Sequence, residues 1–285
     1  MNAVVKPTTV EPGVYPGLAN DAYHASPGVS NSGLKDIDHS PRFFYSWHLD
    51  PKRPPRPVKP GQLEGPLLHC ALLEPDEFDK RYVVGPTANR NTKTWKEWCE
   101  HNTKDGRFPI QGDQRETALA QAESAMRIAD VAAAVAKGQS EVSAFWIDPA
   151  TGVLCRCRPD FVHEAGAGVV LLDAKTYSNA DPHDFSLQAA RKDYHRQDAF
   201  YSDGYALAAA REVLAFIFVV IETEWPHLAS AVMLDPPSRE SGRMLYRRNL
   251  NTYAECLKTN TWPDYSGAIE LVSLPKYAME HTDGP

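Results

Sequence analysis

Two short acidic motifs lie close together in the middle of the chain. The first is Arg158-Pro159-Asp160 and the second is Asp173-Ala174-Lys175. Residues two apart in a β-strand project from the same face, so Asp173 and Lys175 are predicted to point the same way, with Ala174 turned into the core. If the preceding strand pairs with this one across residues 163–168, Asp160 lies beside Asp173. Neighbouring carboxylates repel each other unless a cation lies between them, and this predicts a metal site.

Magnesium is the cation that these groups would suit, because it prefers hard oxygen ligands and keeps several waters. Asp160, Asp173 and the backbone carbonyl of Ala174 would supply part of its shell, and Mn²⁺ should substitute. A water bound there would become acidic enough to attack phosphorus. Lys175 would orient or deprotonate that water and offset charge in the transition state. An Asp-x-Lys at a strand end also arises as a plain salt bridge, so the motif needs support elsewhere in the chain.

A histidine upstream is a further candidate ligand. His69 lies within an apolar stretch, 63–73, whose spacing predicts a helix that ends at Glu74-Pro75. A neutral imidazole can complete the shell of a divalent metal. A histidine in such a helix is, however, more often a core residue than a ligand, and both interpretations stay open.

A glutamine and a tyrosine downstream share one face of a predicted helix. Gln197 and Tyr201 are one helical turn apart, and they could contact a phosphate or orient a metal-bound water. The alternative is an ordinary amphipathic helix with Tyr201 in the core and Gln197 exposed. We expect Arg158 and Arg196, which lie next to these motifs in the sequence, to contact the substrate as well.

The spacing of apolar residues along the chain predicts the helices and strands that must position these side chains. A continuous apolar run over 168–176, with polar residues only at its end, predicts a central strand covered on both faces. Strands before and after it, together with flanking helices, predict an α/β fold in which helices surround a central mixed sheet. The other predicted strands cover 141–148, 153–162, 213–221 and 229–235. The predicted helices begin after Ser30 and Ser40 and cover 63–73, 114–137 (ending at Gly138), 185–210 and 238–258.

The first sixty residues differ in composition from the rest. Residues 1–30 are rich in Pro, Gly and small residues and are predicted to form an extended arm. Residues 50–61 form a basic, proline-rich connector that cannot be a helix or an inner strand. We interpret the connector as a solvated linker, with a flap that touches DNA phosphates as the alternative. The chain therefore divides into 1–60 and a core at 61–285.

The overall charge and the cysteines narrow the function classes. The 285-residue chain carries a net charge of −7, whereas a protein that coats DNA non-specifically would be basic. Five scattered cysteines suit a reducing cytoplasm, and we interpret Cys155 and Cys157 as small strand residues. We expect no secretory signal and no membrane span.

The motifs occur in an order that resembles a known family. His69, Asp160, Asp173-x-Lys175 and Gln197-x-x-x-Tyr201 are similar to the RecB-like branch of the PD-(D/E)xK nucleases. More specifically, the chain resembles the exonuclease VIII (RecE-type) nuclease domain of prophages. The phrases that carry the resemblance are GVSNSGLKDI, GQLEGPLLHCALLEP, CRCRPDF, LLDAKT, HRQDAFYSDGYA and SLPKYA.

The resemblance implies a restriction-endonuclease-like core with His69, Asp160 and Asp173 as metal ligands and Lys175 as the catalytic lysine. It also places Gln197 and Tyr201 near the site. The implied activity is Mg²⁺-dependent 5′→3′ degradation of linear double-stranded DNA, which leaves 3′ single strands for recombination. The implied partners are three further copies in a ring-shaped tetramer and a RecT-type single-strand annealing protein.

Two details depart from the family pattern. Gly65 is followed by Pro66 where the family usually has Gly-Thr, and the acid of the last motif is Asp173 where many relatives have Glu. We expect the site to be intact, because proline is tolerated near the start of a helix.

Two alternative functions are kept. One is a non-catalytic DNA-binding recombination accessory protein that uses the aromatic stretch 43–47 and the connector 50–61. The other is an endonuclease of the same fold, which would also cut closed circles. The sequence contains no G-x-x-x-x-G-K-[ST] motif, so it encodes no ATP-driven motor of that type.

Overall fold

The structure is a computed structural model that describes residues 10–55, 63–265 and 267–275. Most of the predicted connector, the first nine residues and the end of the SLPKYA phrase lie outside the described residues. The helices are α1 (Asn20–Ala25), α2 (Asn31–His39), α3 (Pro41–Phe44, continued by a π-helical turn at Tyr45–Leu49), α4 (Glu64–Leu73), α5 (Pro75–Arg81), α6 (Lys93–Asn102), α7 (Gly112–Met126), α8 (Ala129–Val135), α9 (Pro182–Lys192), α10 (Tyr194–Ala209) and α11 (Pro236–Thr259). The strands are β1 (Gly13–Tyr15), β2 (Tyr82–Val84), β3 (Phe108–Ile110), β4 (Gly138–Ser140), β5 (Ser143–Ile147), β6 (Leu154–Cys157), β7 (Phe161–Ala165), β8 (Gly168–Tyr177), β9 (Val213–Glu222) and β10 (Ala229–Val232).

A five-stranded mixed sheet forms the centre of the fold. Its strand order is β10-β9-β8-β7-β4. The β8–β9 pair is parallel, and the other pairs are antiparallel. Helices cover the sheet, which confirms the predicted α/β class with a central mixed sheet.

Strand β8 is covered on both faces, as its apolar run predicts. Val169 and Leu171 pack in one buried cluster, with side chains of α9, α10 and α11. Leu172 and Ala174 pack in the other, with side chains of α4, α7 and α8. The period of two therefore divides one strand between two cores, and Asp173 and Lys175 fall on the face that α10 covers.

The pairing of β7 with β8 sets the position of the two acidic motifs. The strands are antiparallel, with Phe161 opposite Leu172 and Ala165 opposite Gly168. Asp160 comes directly before Phe161, so the same register places it opposite Asp173. The predicted pairing across 163–168 is confirmed.

The prediction of one strand over 153–162 is wrong. Strand β6 belongs to a separate three-stranded sheet, β1-β5-β6, whereas β7 belongs to the central sheet. Pro159 lies between them, and a proline cannot donate a ladder hydrogen bond. Strands β5 and β6 pair as an antiparallel hairpin, with Ile147 opposite Leu154. On β6, Cys155 and Cys157 are both 0% exposed and pack in the core.

Two predicted long helices are each broken into two. The backbone at Ile128 is extended and separates α7 from α8. Asp193 adopts a left-handed conformation, φ 57°, and separates α9 from α10. Gly138 does not end a helix but begins β4, where an added Cβ would lie 2.2 Å from the Phe161 ring. The glycine is needed there because two strands approach closely.

The N-terminal region is more ordered than an extended arm. Strand β1 pairs with β5, and the backbone amide of Val29 donates to the carbonyl of Leu154 at 3.0 Å. Helix α2 begins after Ser30 as predicted, and the Ser30 hydroxyl caps it by accepting from the amide of Gly33 at 3.3 Å. The division of the chain at residue 60 stays a prediction. None of the described helices is long and apolar enough to cross a lipid bilayer.

Helix α11 approaches α10 closely at a glycine, which makes the contact testable. A Cβ added at Gly242 would lie 1.9 Å from the backbone carbonyl oxygen of His195. We expect Gly242→Ala to lower the free energy of unfolding by at least about 1–3 kcal/mol, because the helices must move apart. The measurement is the urea midpoint.

The control is Gly65→Ala in α4, where an added Cβ meets nothing within 4 Å. Alanine favours helix over glycine, so this variant should be as stable as the wild type or slightly more so. Equal stability of the two variants would contradict the close approach of α10 and α11.

Candidate active site

Asp173 and Lys175 lie toward the carboxyl end of β8 and contact each other. Asp173 is 2% exposed, and its Oδ2 forms an ion pair with the Lys175 ammonium group. The other carboxylate oxygen, Oδ1, accepts a hydrogen bond from Gln197 Nε2 at 2.5 Å. Lys175 Nζ also lies 5.0 Å from the centre of the Tyr194 ring. Helix α10 thus holds one side of the Asp173 carboxylate, and the lysine holds the other.

Asp160 and His69, a residue of α4, contact each other next to strand β8. Asp160 Oδ2 accepts a hydrogen bond from the Ala174 amide at 2.8 Å, and it lies 3.3 Å from His69 Nε2. The same imidazole nitrogen lies 3.1 Å from the carbonyl oxygen of Ala174. The structure therefore brings together His69, Asp160 and both backbone polar groups of the residue next to Asp173.

Glu141 is a site residue that the sequence analysis does not identify. Among the described residues, one His/Cys/Asp/Glu group has the spacing of a metal site: the ligand atoms of His69, Glu141 and Asp160 lie within 4.8 Å of one another. Asp173 lies outside this group. Glu141 is the first residue of a predicted strand, and no spacing motif marks it; its left-handed backbone, φ 53°, appears only in the structure.

Burial and neighbouring charges shift the acid–base behaviour of the site. Burial raises the pKa of Asp160 to about 6, and the nearby Asp173 carboxylate adds to this rise. Burial lowers the pKa of His69, but Asp160 and Asp173 outweigh it, so the pKa of this imidazole is raised. Lys175 behaves in the same way, because the attraction of Asp173 outweighs burial and raises its pKa. In this arrangement Lys175 is an ammonium, suited to orienting a water and offsetting charge.

The other predicted site residues have different surroundings. Gln197 is 8% exposed and holds Asp173, so the alternative in which it faces solvent is wrong. Tyr201 packs against Phe216, and burial raises its pKa well above the usual value. Arg158 forms an ion pair with Glu141, with Nε 2.6 Å from Oε2.

Arg196 is buried and does not line the site in the way that its predicted contact with the substrate requires. Its side chain is 1% exposed, and its Nε donates to the side-chain oxygen of Asn31 at 3.1 Å. Its Nη2 lies 3.6 Å from Asp193 Oδ2. These contacts tie α10 to α2, and such burial does not suit the substrate contact that the sequence position of Arg196 predicts.

Two adjoining clefts lead to the site. The larger, about 1030 Å³, is lined by His69 and Glu141, and the smaller, about 540 Å³, by Gln197 and Tyr201. The residues that line both clefts are Asn20, His24, Glu141 and Arg158. His69 is therefore reached from the larger cleft, Gln197 and Tyr201 are reached from the smaller one, and Glu141 is reached from both.

The donor set fits a divalent cation. It combines one imidazole with carboxylates and a backbone carbonyl, from His69, Glu141, Asp160, Asp173 and Ala174. Carboxylate and carbonyl oxygens are the ligands of Mg²⁺ and Mn²⁺, and imidazole also serves transition metals. The buried carboxylate of Asp173 next to the partly buried carboxylate of Asp160 is an arrangement that a cation would neutralise.

The raised pKa of Asp160 predicts a stability that depends on pH. Ionising this buried carboxyl is harder in the folded than in the unfolded protein, so it destabilises the fold above about pH 6; the effect fades as pH falls toward 3.8. In EDTA at pH 8, Asp160→Asn should raise the free energy of unfolding by on the order of 1–3 kcal/mol. The gain should shrink at pH 5, as thermal or urea unfolding would show.

An exposed aspartate provides the control. Asp79 has a side chain that is 80% exposed, so Asp79→Asn should not reproduce the gain. If Asp160→Asn raised the free energy of unfolding equally at pH 5 and pH 8, or lowered it at pH 8, the raised pKa of Asp160 would be contradicted.

The fold is similar to a solved structure. A protein from Eubacterium rectale that is named as a candidate exonuclease aligns over 90% of this chain and 94% of its own, with a TM-score of 0.59 and 12% identity. This likeness shows the fold. Protein VC1899 from Vibrio cholerae aligns over 82% of this chain and 57% of its own at 10% identity, but its TM-score of 0.20 carries no weight. No curated protein sequence matches the chain.

A family model agrees with the fold. The PDDEXK-like domain of unknown function (DUF3799) matches residues 30–275, which include every predicted site residue. The match spans most of the chain. The chain therefore belongs to the DUF3799 family of PDDEXK-like domains.

Proposed function

We propose that this protein is a Mg²⁺-dependent nuclease that hydrolyses the phosphodiester bonds of DNA. The observation that carries this proposal is the meeting of Asp160, Asp173 and Lys175 where β7 and β8 pair, next to His69. Asp173 supplies a buried carboxylate and Asp160 a partly buried one. The ammonium group of Lys175 forms an ion pair with Asp173. Mn²⁺ is expected to replace Mg²⁺, because both accept this donor set.

A bound Mg²⁺ would supply a water of lowered pKa and charge stabilisation at the phosphorus. Asp160, Asp173 and the carbonyl of Ala174 would hold the cation, together with His69. Lys175 orients the attacking water and offsets the negative charge that develops on the phosphoryl oxygens. Gln197 fixes one oxygen of Asp173, which limits the directions in which that carboxylate can turn.

The finer proposal is a RecE-type exonuclease. It rests on the ordered motifs and on the solved candidate exonuclease, which aligns over nearly all of its length. We propose that linear double-stranded DNA is degraded 5′→3′, so that 3′ single strands become available to a RecT-type annealing protein. A ring-shaped tetramer, a phage or prophage origin and a cytoplasmic location belong to the same proposal. The endonuclease of the same fold remains the second candidate.

The non-catalytic alternative is less well supported by the contacts of the aromatic stretch 43–47. Phe44 is 4% exposed and stacks on Trp262 and His48. A ring used in this way is not free to stack on a base. The basic connector lies largely outside the described residues, and its DNA contact stays a prediction.

Substitution of the lysine tests the site. We expect Lys175→Ala to lower the rate of DNA hydrolysis by at least about 100-fold, because charge on the transition state is no longer offset. Lys96→Ala, in an exposed position on α6, is the matched control and should leave the rate unchanged. The readout is the release of acid-soluble nucleotides from linear duplex in Mg²⁺, with EDTA as the blank. Full activity of Lys175→Ala would show that the site is wrongly assigned.

A second assay tests the exonuclease and its direction. Duplexes labelled at the 5′ or the 3′ end are digested with Mg²⁺ beside a covalently closed circle of the same sequence. We expect early loss of the 5′ label and survival of the circle, since an exonuclease needs an end. Cleavage of the circle would favour the endonuclease, and early loss of the 3′ label would reverse the proposed polarity.

A further inference from the structure

We propose that Glu141 is a ligand of the divalent cation at His69 and Asp160, and that Arg158 competes with this cation for the Glu141 carboxylate. The inference rests on the metal dependence in the proposed function and extends it to two residues. It assigns Glu141 a binding role that the spacing of the motifs does not give. It also makes Arg158 a positioning residue of the metal site.

The first support is the donor set that faces the larger cleft. The ligand atoms of His69, Glu141 and Asp160 lie within 4.8 Å of one another, and His69 and Glu141 both line the cleft. The His69 side chain is 27% exposed and that of Glu141 is 30% exposed, so a cation can reach them from solvent. Asp173, in contrast, is 2% exposed, and Lys175 and Gln197 contact its two oxygens. Glu141 is therefore the carboxylate most accessible to an incoming cation beside Asp160.

The second support is the backbone of Glu141. Its φ of 53° is a left-handed conformation that non-glycine residues seldom adopt. Its amide donates to the carbonyl oxygen of Asp160 at 2.8 Å. The hydrogen bond links the backbone of Glu141 to that of Asp160 and so brings the two residues together. Such conformations concentrate at functional sites, where the surrounding structure holds them in place.

The third support is the state of Arg158. Its guanidinium neutralises Glu141 at 2.6 Å and lies 5.4 Å from the centre of the Tyr23 ring. Its Nε and Nη1 are both buried, and neither makes a hydrogen bond within the part of the chain that the structure describes. The ion pair with Glu141 therefore leaves two buried N–H groups of the arginine without a hydrogen bond. A divalent cation places two positive charges where the guanidinium places one, so the two compete for Glu141 directly.

A simple salt bridge between Glu141 and Arg158 is the competing explanation, and the two explanations differ in sign. If the pair only stabilises the fold, removing either partner has a similar effect on the metal site. If Arg158 competes with the cation, removing Glu141 weakens cation binding, whereas removing Arg158 strengthens it. Opposite effects from two partners of one ion pair are the signature of competition.

The test is Mn²⁺ binding without DNA, measured by electron paramagnetic resonance of the free ion and by calorimetry. We expect Glu141→Gln to weaken binding by at least about 10- to 100-fold, the loss typical when an outer partner of a metal ligand is removed. Arg158→Gln should tighten binding several-fold. The matched control is Glu164→Gln, whose side chain is 60% exposed and pairs with Arg211 at the other end of β7; its affinity should equal that of the wild type. Thermal unfolding in EDTA checks that each variant is folded.

Three outcomes would overturn the inference. They are wild-type affinity in Glu141→Gln, weaker binding in Arg158→Gln, and the same loss in Glu164→Gln as in Glu141→Gln. DNA digestion by the wild type is measured in parallel. If the wild type digests DNA and Glu141→Gln binds Mn²⁺ normally, the inference fails and the proposed function stands. If the wild type neither binds Mn²⁺ nor digests DNA, both fail.

Discussion

The site depends on the register in which β7 pairs with β8. With Phe161 opposite Leu172, the register places Asp160 opposite the buried Asp173, and the partial burial of Asp160 raises the pKa of its carboxyl to about 6. A protein that only had to fold would avoid this arrangement, because like charges in a low-dielectric interior are costly. The neighbouring groups offset the cost in different ways. Lys175 pairs with Asp173, the Ala174 amide donates to Asp160, and His69 lies beside both Asp160 and the Ala174 carbonyl.

The predictions that succeeded relied on local periodicity. The apolar run of β8 fixed its place in the middle of the sheet, and the period of two separated Asp173 and Lys175 from Ala174. The turn between β7 and β8 is short enough that the pairing of the two strands followed from the sequence. Gln197 was placed on a helix face correctly, but its bond to Asp173 depends on how that helix packs on the sheet.

The predictions that failed involved features that periodicity does not encode. Pro159 ends one sheet and precedes another, and an apolar pattern on both sides of it resembles a single strand. Asp193 adopts a left-handed conformation within the range predicted as one long helix. Glycine is the residue that usually signals such a break, so an aspartate did not mark it. Glu141 was missed because its partners are distant in sequence and its backbone conformation is decided by tertiary contacts. Arg196 was near the motif in sequence, yet its side chain turns to α2 and is buried there.

Because β8 belongs to two cores at once, the site lies at their boundary. His69 comes from the layer on one face of the sheet and contacts Asp160, which directly precedes β7. Gln197 comes from the layer on the other face and contacts Asp173 on β8. A small slide of either layer would change the distances between these groups, since close-packed interiors transmit displacement. The distances between the charged groups therefore depend on how both helical layers pack against the sheet. A substitution deep in α7 or α11, far from any charged group of the site, can therefore lower the activity of the site while the protein stays folded.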